Sequence, residues 1–160
     1  MTHSPKAQKT AQAEGRKLSK FLCFAVYSAN LAFGRAYKPI LDRVGLTYTQ
    51  YIAMVALSDA DEQTVSELGE KLFLESNTLT PILKKLEQTG YISRIRDPAD
   101  ERQVRVSLTA AGWRLLDNDL GRALVESCGL GDEFSTVQKN VVRLRDNLLR
   151  SNTRGKQDAT

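Results

Sequence analysis

The chain has 160 residues, of which 41% are hydrophobic and 26% charged, a composition typical of an ordinary globular domain. No apolar run is long enough to cross a membrane, and the polar amino terminus lacks the apolar core of a secretory signal, so we expect a cytoplasmic protein without a membrane partner. Two distant cysteines and a single histidine, His3, disfavour a zinc site, nothing predicts a cofactor, and the net charge of +4 is compatible with a polyanionic partner.

The amino-terminal part of the chain combines a polar tail with a very apolar helix. Residues 1–15 lack large apolar side chains, and we interpret them as a disordered basic tail. Over residues 16–38 apolar side chains surround nearly the whole predicted helix, which therefore needs neighbours on several sides. In so short a chain, a second subunit is the natural neighbour. Pro39 disfavours helical geometry at Lys38 and is expected to end the helix.

Two capping boxes predict the next two helices. Thr47 and Gln50 form the first box, which opens a helix over residues 48–57. Thr64 and Glu67 form the second box, which opens a short helix. The polar segment between these two helices is expected to be a loop.

A third helix is predicted between a cap at Ser76 or Asn77 and a turn at Gly90. Its apolar side chains recur at helical spacing and form one stripe. The stripe consists of Leu79, Ile82, Leu83 and Leu86. The opposite face carries hydroxyl, amide and ammonium groups, and Pro81 is tolerated because it lies near the first turns.

The periodicity then changes from helix to strand and back. Residues 91–96 and 104–108 are strand-like and flank a polar turn, which predicts a β-hairpin with a charged tip. Thr109 is expected to cap one helix that reaches towards Cys128. Its apolar side chains are Trp113, Leu116, Leu120 and Leu124. A last helix is predicted over residues 134–150, with an apolar face formed by Val137, Val141, Leu144 and Leu148.

These elements predict a mainly α fold with a small β-hairpin wing. Two short helices followed by a hairpin form a winged helix-turn-helix, which we assign to residues 46–109. Residues 16–45 and 110–150 supply the amino- and carboxy-terminal helices of a dimerisation domain, and residues 151–160 are expected to fray.

The winged helix-turn-helix has the chemistry of a DNA reader. One helix fits the major groove, where short polar side chains meet base edges and lysines meet phosphates. Arg102 at the hairpin tip suits a narrow minor groove, and Asp100 could hold its guanidinium group. A polar helix face alone is usually a plain surface, but the hairpin that follows in the correct order favours DNA binding. The candidate DNA-binding residues are Ser76, Asn77, Thr78, Thr80, Pro81, Lys84, Lys85, Asp100 and Arg102.

The chain resembles the multiple-antibiotic-resistance regulators, the MarR family, over about residues 17–150. The resemblance rests on the order of elements, on the segment ESNTLTPILKKLEQTGYISRIRDPADERQVRVSLTAAG and on Asp100-Glu101-Arg102 within it. Within that family the chain is most similar to the two-cysteine organic hydroperoxide resistance regulators (OhrR). The resemblance implies a homodimeric repressor that binds a palindromic double-stranded DNA operator.

The same resemblance implies a redox site. It assigns Cys23 as the peroxidatic cysteine, Cys128 as the resolving cysteine, and Tyr37 and Tyr48 as hydrogen-bond donors to Cys23 of the other subunit, with Tyr27 one turn from that cysteine. Organic hydroperoxides would oxidise Cys23 to sulfenic acid, which would condense with Cys128 of the partner subunit to a disulfide, and the operator would be released. Cellular thiols would reverse the reaction.

Physical chemistry says what Cys23 needs in order to react. Its neighbours in the run FLCFAVY are apolar, and burial disfavours the thiolate that attacks a peroxide. Tyrosine hydroxyls that donate to sulfur, and the positive end of the helix that begins at Tyr48, would favour the thiolate. Apolar walls would favour a peroxide with a hydrocarbon tail over hydrogen peroxide.

Three alternatives remain open from the sequence. One is a regulator of the same fold that is released by a small aromatic ligand without cysteine chemistry. Another is a thiol peroxidase, which the absence of a general-base histidine and the otherwise idle wing disfavour, so we do not expect an enzyme. The third is an architectural DNA-binding protein that responds to no effector.

Overall fold

The computed structural model describes residues 17–60 and 62–157, and side chains as far as Ser151. The predicted tail of residues 1–15 therefore lies outside the described residues. Within them the chain forms helices α1 (Leu22–Leu41), α2 (Tyr48–Asp59), α3 (Val65–Leu72), α4 (Ser76–Gln88), α5 (Ala110–Leu116), α6 (Leu120–Ser127) and α7 (Phe134–Gln157). The strands are β1 (Gln63–Thr64), β2 (Ile92–Arg96) and β3 (Val104–Leu108), and short 3-10 turns occupy Leu18–Lys20, Asp42–Val44 and Gly131–Glu133.

The described fold confirms the mainly helical class with a wing, but the sheet has three strands. Strands β2 and β3 form the predicted antiparallel hairpin, with Ile92 opposite Leu108. Strand β1 pairs with the other edge of β3, so the expectation of a plain loop there is wrong. The Gln63 amide donates to the carbonyls of Ala56 and Ala60, and these bonds hold this polar segment beside β3. Polar residues such as Gln63 carry no apolar alternation, which hides the strand in the sequence.

Helix α1 does not end before Pro39, contrary to the prediction. Pro39 lies inside the helix, which continues to Leu41. The side chain of Leu41 is only 1% exposed, so its burial outweighs the single hydrogen bond that a proline in the last turn cannot donate. An ion pair of 2.8 Å between Lys38 and Asp42 also spans this end of the helix. The amino end begins at Leu22, later than predicted, after a 3-10 turn.

Both predicted capping boxes are present. The Thr47 hydroxyl accepts from the backbone of Gln50, whose side chain accepts from the Thr47 backbone, and Thr64 forms the same reciprocal pair with Glu67. These boxes fix the starts of α2 and α3, the two helices that precede α4.

Helix α4 keeps its predicted stripe but begins with a different cap. Leu79, Leu83 and Leu86 are fully buried. The N-cap is Glu75, whose backbone carbonyl accepts from Thr78 and Leu79, and it makes no side-chain cap hydrogen bond. The prediction of a cap at Ser76 or Asn77 is therefore wrong, and both residues lie in the first turn.

The carboxyl end of α4 follows the prediction. Gly90 has a φ of +77°, which favours glycine, and its N–H donates to the Glu87 carbonyl. The next N–H, that of Tyr91, reaches the Leu86 carbonyl and turns the chain into β2.

The helix predicted after Thr109 is divided into α5 and α6. The Thr109 hydroxyl caps α5 as expected, but the helix stops at Leu116 and a new one starts at Leu120. The intervening residues 117–119 are Asp, Asn and Asp, whose side chains compete for backbone hydrogen bonds and disfavour a helix interior. The break buries Leu115 and Leu120 and leaves Trp113 39% exposed, so the apolar face differs from the predicted one.

The buried core lies where α2, α3 and α4 pack on the sheet and on the end of α1. Its largest fully buried side chains are Leu41, Met54, Leu57, Leu68, Leu79, Leu83, Leu86 and Val106. Helix α7 continues beyond the predicted end at residue 150, to Gln157. None of the helices in residues 17–60 and 62–157 is both long and apolar enough to cross a membrane.

Two helices keep large apolar side chains in contact with solvent. Helix α1 as far as Phe33 and the turn before it expose Leu18, Phe21, Leu22, Val26, Tyr27, Leu31 and Phe33. Helix α7 exposes Val137, Val141, Leu148 and Leu149. Single exposed apolar residues are normal, but a series along two helices is a feature typical of surfaces that bind another molecule.

Candidate redox site and nucleic-acid interface

The carboxyl end of α6 brings one cysteine against a tyrosine of α1. Helices α1 and α6 pack together, and Cys128 follows the last residue of α6. The Tyr37 hydroxyl and the Cys128 sulfur form a hydrogen bond of 3.2 Å. The same sulfur donates to the Leu124 carbonyl over 3.4 Å. Cys128 is thus held by a side chain that lies 91 positions earlier in the chain.

Two further tyrosines surround this pair. The ring of Tyr48 meets the ring of Tyr37 edge to face, with centroids 5.5 Å apart. Burial, and then the hydrogen bond with Cys128, raise the pKa of Tyr37 far above the usual range of a phenol. Burial is also the main cause of the raised pKa values of Tyr48 and Tyr51. All three phenols therefore stay protonated at neutral pH and can donate hydrogen bonds.

Tyr51 belongs to this cluster, and sequence analysis did not assign it to the site. An ionised Tyr51 would raise the pKa of Tyr37, so the two phenols lie within electrostatic range of each other. The signal that could have found it is its spacing, because Tyr51 follows Tyr48 by three residues and lies on the same face of α2.

Cys23 lies at the other end of α1 and is exposed within its own chain. It lines an apolar groove of about 480 Å³ between α1 and α7. The groove is lined by Leu22, Cys23, Val26, Tyr27, Asn30, Leu144 and Leu148. Tyr27 thus shares a surface with Cys23, as its spacing predicts, whereas Tyr37 contacts Cys128. Among the described residues of one chain, no hydrogen bond joins Cys23 to a tyrosine.

Helix α4 presents its predicted polar face to solvent. The exposed residues of this face are Ser76, Asn77, Thr78, Thr80, Pro81, Lys84 and Lys85. The Thr80 hydroxyl donates to the Ser76 carbonyl over 2.6 Å, which occupies that hydroxyl within the helix. The remaining amide and ammonium groups point outwards and are suited to base edges and phosphates.

The wing tip is ordered by Asp100 through the backbone. One oxygen of Asp100 accepts from the backbone N–H of Arg102 over 3.1 Å, and the other accepts from the Gln103 amide. The expected contact between Asp100 and the Arg102 guanidinium is therefore replaced by a turn that presents the exposed Arg102 side chain.

Two ion pairs that sequence analysis missed support the wing. Asp97, whose side chain is 8% exposed, accepts from Arg105 over 2.7 Å at the base of the turn. Arg94 of β2 donates to Glu87 of α4 over 2.9 Å and ties the wing to that helix. Each pair joins residues seven or eight positions apart, and only the hairpin and the preceding turn bring them together.

The turn between α3 and α4 also contacts the last helix. Phe73 has a φ of +56°, an uncommon backbone conformation for a residue with a side chain. The guanidinium of Arg145 lies 5.1 Å from the centre of its ring. This cation–π contact joins α7 to the loop that precedes α4.

Comparison with known proteins identifies relatives over most of the chain. The family described as transcriptional regulator SarA/Rot matches residues 35–118, more than half of the chain. The HTH-type transcriptional regulator TtmR of Methylorubrum extorquens is 47% identical over 88% of this chain and 73% of its own length. The organic hydroperoxide resistance transcriptional regulator of Bacillus subtilis is 37% identical over 85% of this chain and 95% of its own length.

Solved structures of AbfR, a protein of Staphylococcus epidermidis, are similar to this chain. The structure of reduced AbfR bound to DNA has a TM-score of 0.68 and 34% identity, and covers 85% of this chain and 98% of that chain. A structure of AbfR with a disulfide formed has a TM-score of 0.62 and 31% identity, and covers 89% of this chain and 99% of that chain.

Proposed function

Because the chain belongs to the SarA/Rot type of MarR-family transcriptional regulators, which are not enzymes, we propose that it is a DNA-binding repressor released by organic hydroperoxides. Helix α4 would enter the major groove, and Arg102 of the wing would reach the adjacent minor groove. The exposure of the polar face of α4 and the DNA complex of AbfR support this part of the proposal.

We expect a symmetric homodimer. The exposed apolar side chains of α1 and α7 form a surface that a second copy would cover. A two-fold axis would present two copies of α4 to a palindromic operator, with half-sites about one helical turn of DNA apart or a multiple of it. The protein would act in the cytoplasm, where the operator and the reducing thiols are found.

The observation that carries the redox proposal is the hydrogen bond between Tyr37 and Cys128, with the Tyr48 ring packed against Tyr37, while Cys23 lies apart on the groove between α1 and α7. A dimer built on that groove would carry Cys23 of the partner subunit towards these two tyrosines, with Tyr27 beside it. The relative named for organic hydroperoxide resistance and the disulfide form of AbfR support this arrangement.

The proposed chemistry is balanced without a cofactor. The Cys23 thiolate attacks the outer oxygen of an organic hydroperoxide, the S–O bond forms and the O–O bond breaks. Cys23 becomes a sulfenic acid, and the alkoxide leaves and takes up the proton that Cys23 lost, which gives an alcohol. The Cys128 thiol then attacks that sulfur, a disulfide forms and water leaves. Two molecules of a cellular thiol reduce the disulfide and are themselves oxidised. Burial of a hydrocarbon tail in the apolar groove would favour organic peroxides over hydrogen peroxide.

The test is operator binding by fluorescence anisotropy, with DNA from upstream of the protein's own gene. Wild type, Cys23→Ser and Cys128→Ser are compared before and after one equivalent of cumene hydroperoxide, and again after dithiothreitol. We expect wild type to release the DNA and rebind it on reduction, and Cys23→Ser to stay bound. If Cys23→Ser released the DNA as wild type does, the redox proposal would be overturned.

A second candidate is a repressor released by a small aromatic acid. A cavity of about 270 Å³ beside Tyr48 favours it, although the Lys38 ammonium at this cavity is paired with Asp42, so a ligand carboxylate would have to displace Asp42 from Lys38. The cavity is lined by Gly34, Lys38, Leu41, Asp42, Leu46, Thr47 and Tyr48. In the same assay under reducing conditions, an aromatic acid such as salicylate would then release wild type and Cys23→Ser equally.

A further inference from the structure

The two partners of the Cys128 sulfur decide which atom donates in each hydrogen bond. A carbonyl oxygen can only accept, so the Cys128 S–H donates to Leu124 over 3.4 Å. The thiol has only one hydrogen, so the sulfur must be the acceptor in its second hydrogen bond, the one with Tyr37. The Tyr37 hydroxyl therefore donates to the sulfur over 3.2 Å.

The Tyr37 hydroxyl is held in place from several sides. The residue is only 9% exposed, so its phenol is nearly removed from water. The ring contacts Phe33 and Tyr48 edge to face, each with centroids 5.5 Å apart. Among the hydrogen bonds of the described chain, the one to Cys128 is the only one that the Tyr37 side chain makes. A buried phenol needs a hydrogen-bond partner, and for Tyr37 that partner is the Cys128 sulfur.

We propose that Tyr37 is a positioning residue for Cys128 of its own chain, a role additional to any contact with Cys23 of the partner subunit. One subunit then contributes one preassembled half of the redox site, formed by Tyr37, Tyr48 and Cys128, and the partner contributes only Cys23. This half is called the redox half-site, to distinguish it from the half-sites of the operator. The inference rests on the proposed function for its redox meaning, but the Tyr37–Cys128 contact itself needs neither a peroxide nor an operator.

The redox half-site fits the second chemical step. The Cys128 sulfur attacks the sulfenic sulfur of Cys23 of the partner subunit, the new S–S bond forms, and the S–O bond breaks. The leaving hydroxide takes up the proton that Cys128 loses, and water results. The Tyr37 hydroxyl, which donates to the Cys128 sulfur, stabilises the anion that carries out this attack.

The test uses chains in which Cys128 is the only thiol. Cys23→Ala removes the other thiol and leaves residue 23 without a hydrogen-bonding group. In that background we compare Tyr37→Phe, which keeps the ring and deletes the hydroxyl, with the matched control Tyr91→Phe. Tyr91 bonds to the Val44 carbonyl and lies outside the cluster. The measured quantity is the rate constant for alkylation of Cys128 by iodoacetamide at one fixed pH.

We expect Tyr37→Phe to slow alkylation about tenfold, because it removes a hydrogen bond to the attacking anion, and Tyr91→Phe to leave the rate unchanged. An equal rate in Tyr37→Phe and its parent would overturn the proposal, since the ring alone would then hold Cys128. If wild type failed to release the operator after cumene hydroperoxide while Tyr37→Phe still slowed alkylation of Cys128, the proposed function would be refuted and the inference would stand.

A second measurement needs no change at Tyr37. The infrared S–H stretch of the Cys23→Ala chain reports Cys128 alone. We expect it to lie at a different frequency in the folded protein than in the same chain unfolded in urea, because both hydrogen bonds of the sulfur are lost on unfolding. An identical band in the two states would overturn the assignment of the two bonds.

Discussion

At the scale of single residues, Asp97 is the most constrained acidic side chain of the wing. It accepts hydrogen bonds from the backbone N–H of Ala99 and from the Arg105 guanidinium, and it is nearly buried. The bond from Ala99, followed by the one from Arg105, holds the pKa of Asp97 below its usual range. Arg105 also donates to the Glu62 carbonyl, so this carboxylate links the turn of the wing to the segment before β1.

This shift gives a pH prediction. A carboxyl whose pKa is lower in the folded state stabilises the fold above its unfolded pKa, and the contribution is lost as the pH falls through the folded pKa. Asp97→Asn should therefore lower the melting temperature at neutral pH, and the difference from wild type should shrink in acid. The difference in melting temperature between Asp97→Asn and wild type is measured by thermal unfolding at a series of pH values from neutral to acid. The control is Asp132→Asn at an exposed position, and a difference that persists undiminished in acid would contradict the electrostatic cause.

At the same scale, Lys84 and Arg94 should both contribute to operator binding, but only Lys84 should change how strongly the affinity depends on salt concentration. Lys84 is exposed on α4, whereas Arg94 donates to Glu87 and supports the wing. Lys84→Gln should weaken operator binding for all sequences and reduce the salt slope by about one per subunit. Arg94→Gln should weaken binding with little change in slope. Anisotropy titrations at several salt concentrations measure both, and equal slopes for Lys84→Gln and wild type would exclude a phosphate contact.

At the scale of elements, Phe73 and Arg145 join the turn of the helix-turn-helix to α7. Because the Phe73 ring is exposed, the contact should contribute only about 0.5–1 kcal/mol to the free energy of unfolding. A double-mutant cycle with Phe73→Leu and Arg145→Gln measures the coupling. The same cycle with Arg143→Gln, which lies on another face of α7, should give no coupling. Equal coupling energies for the two arginines would show that the effect is not specific to the ring.

The elements that the sequence predicted correctly have signals within a few residues. The capping boxes at Thr47 and Thr64, the stripe of α4 and the alternation of β3 are each visible as a spacing of residues inside one element. The errors come from packing between elements. Burial of Leu41 carries α1 past Pro39, and the side-chain bonds of Gln63 hold β1 against β3. Local propensity cannot reveal either effect.

The redox cluster was predictable only in part for the same reason. The cysteines and tyrosines could be named through the family resemblance, but no periodicity encodes a contact between Tyr37 and Cys128 across 91 positions. The sequence therefore assigned the tyrosines to Cys23 alone. The structure adds the contact of Tyr37 with Cys128, which depends on how α1 packs against α6.

At the scale of the whole molecule, the proposed site requires two chains. Within one chain Cys23 lines the groove between α1 and α7, while Cys128 lies on the tyrosine cluster at the far end of α1. Both ends of α1 would then act together only in the dimer, and each dimer would contain two such sites related by symmetry. A disulfide at either site requires the two Cα atoms to lie within about 7 Å of each other.

Mixed dimers test this arrangement directly. A Cys23→Ser subunit paired with a Cys128→Ser subunit retains one complete pair, Cys23 of one chain and Cys128 of the other. We expect cumene hydroperoxide to crosslink this mixed dimer, and neither parent homodimer, into a covalent dimer on a non-reducing gel. A disulfide within one chain would leave all three uncrosslinked, because no chain of the mixture carries both cysteines.

The same mixed dimers test the role of Tyr37. Tyr37→Phe should slow crosslinking when it lies on the subunit that keeps Cys128, and have little effect on the other subunit. Equal effects from both positions would contradict a redox half-site built by one subunit.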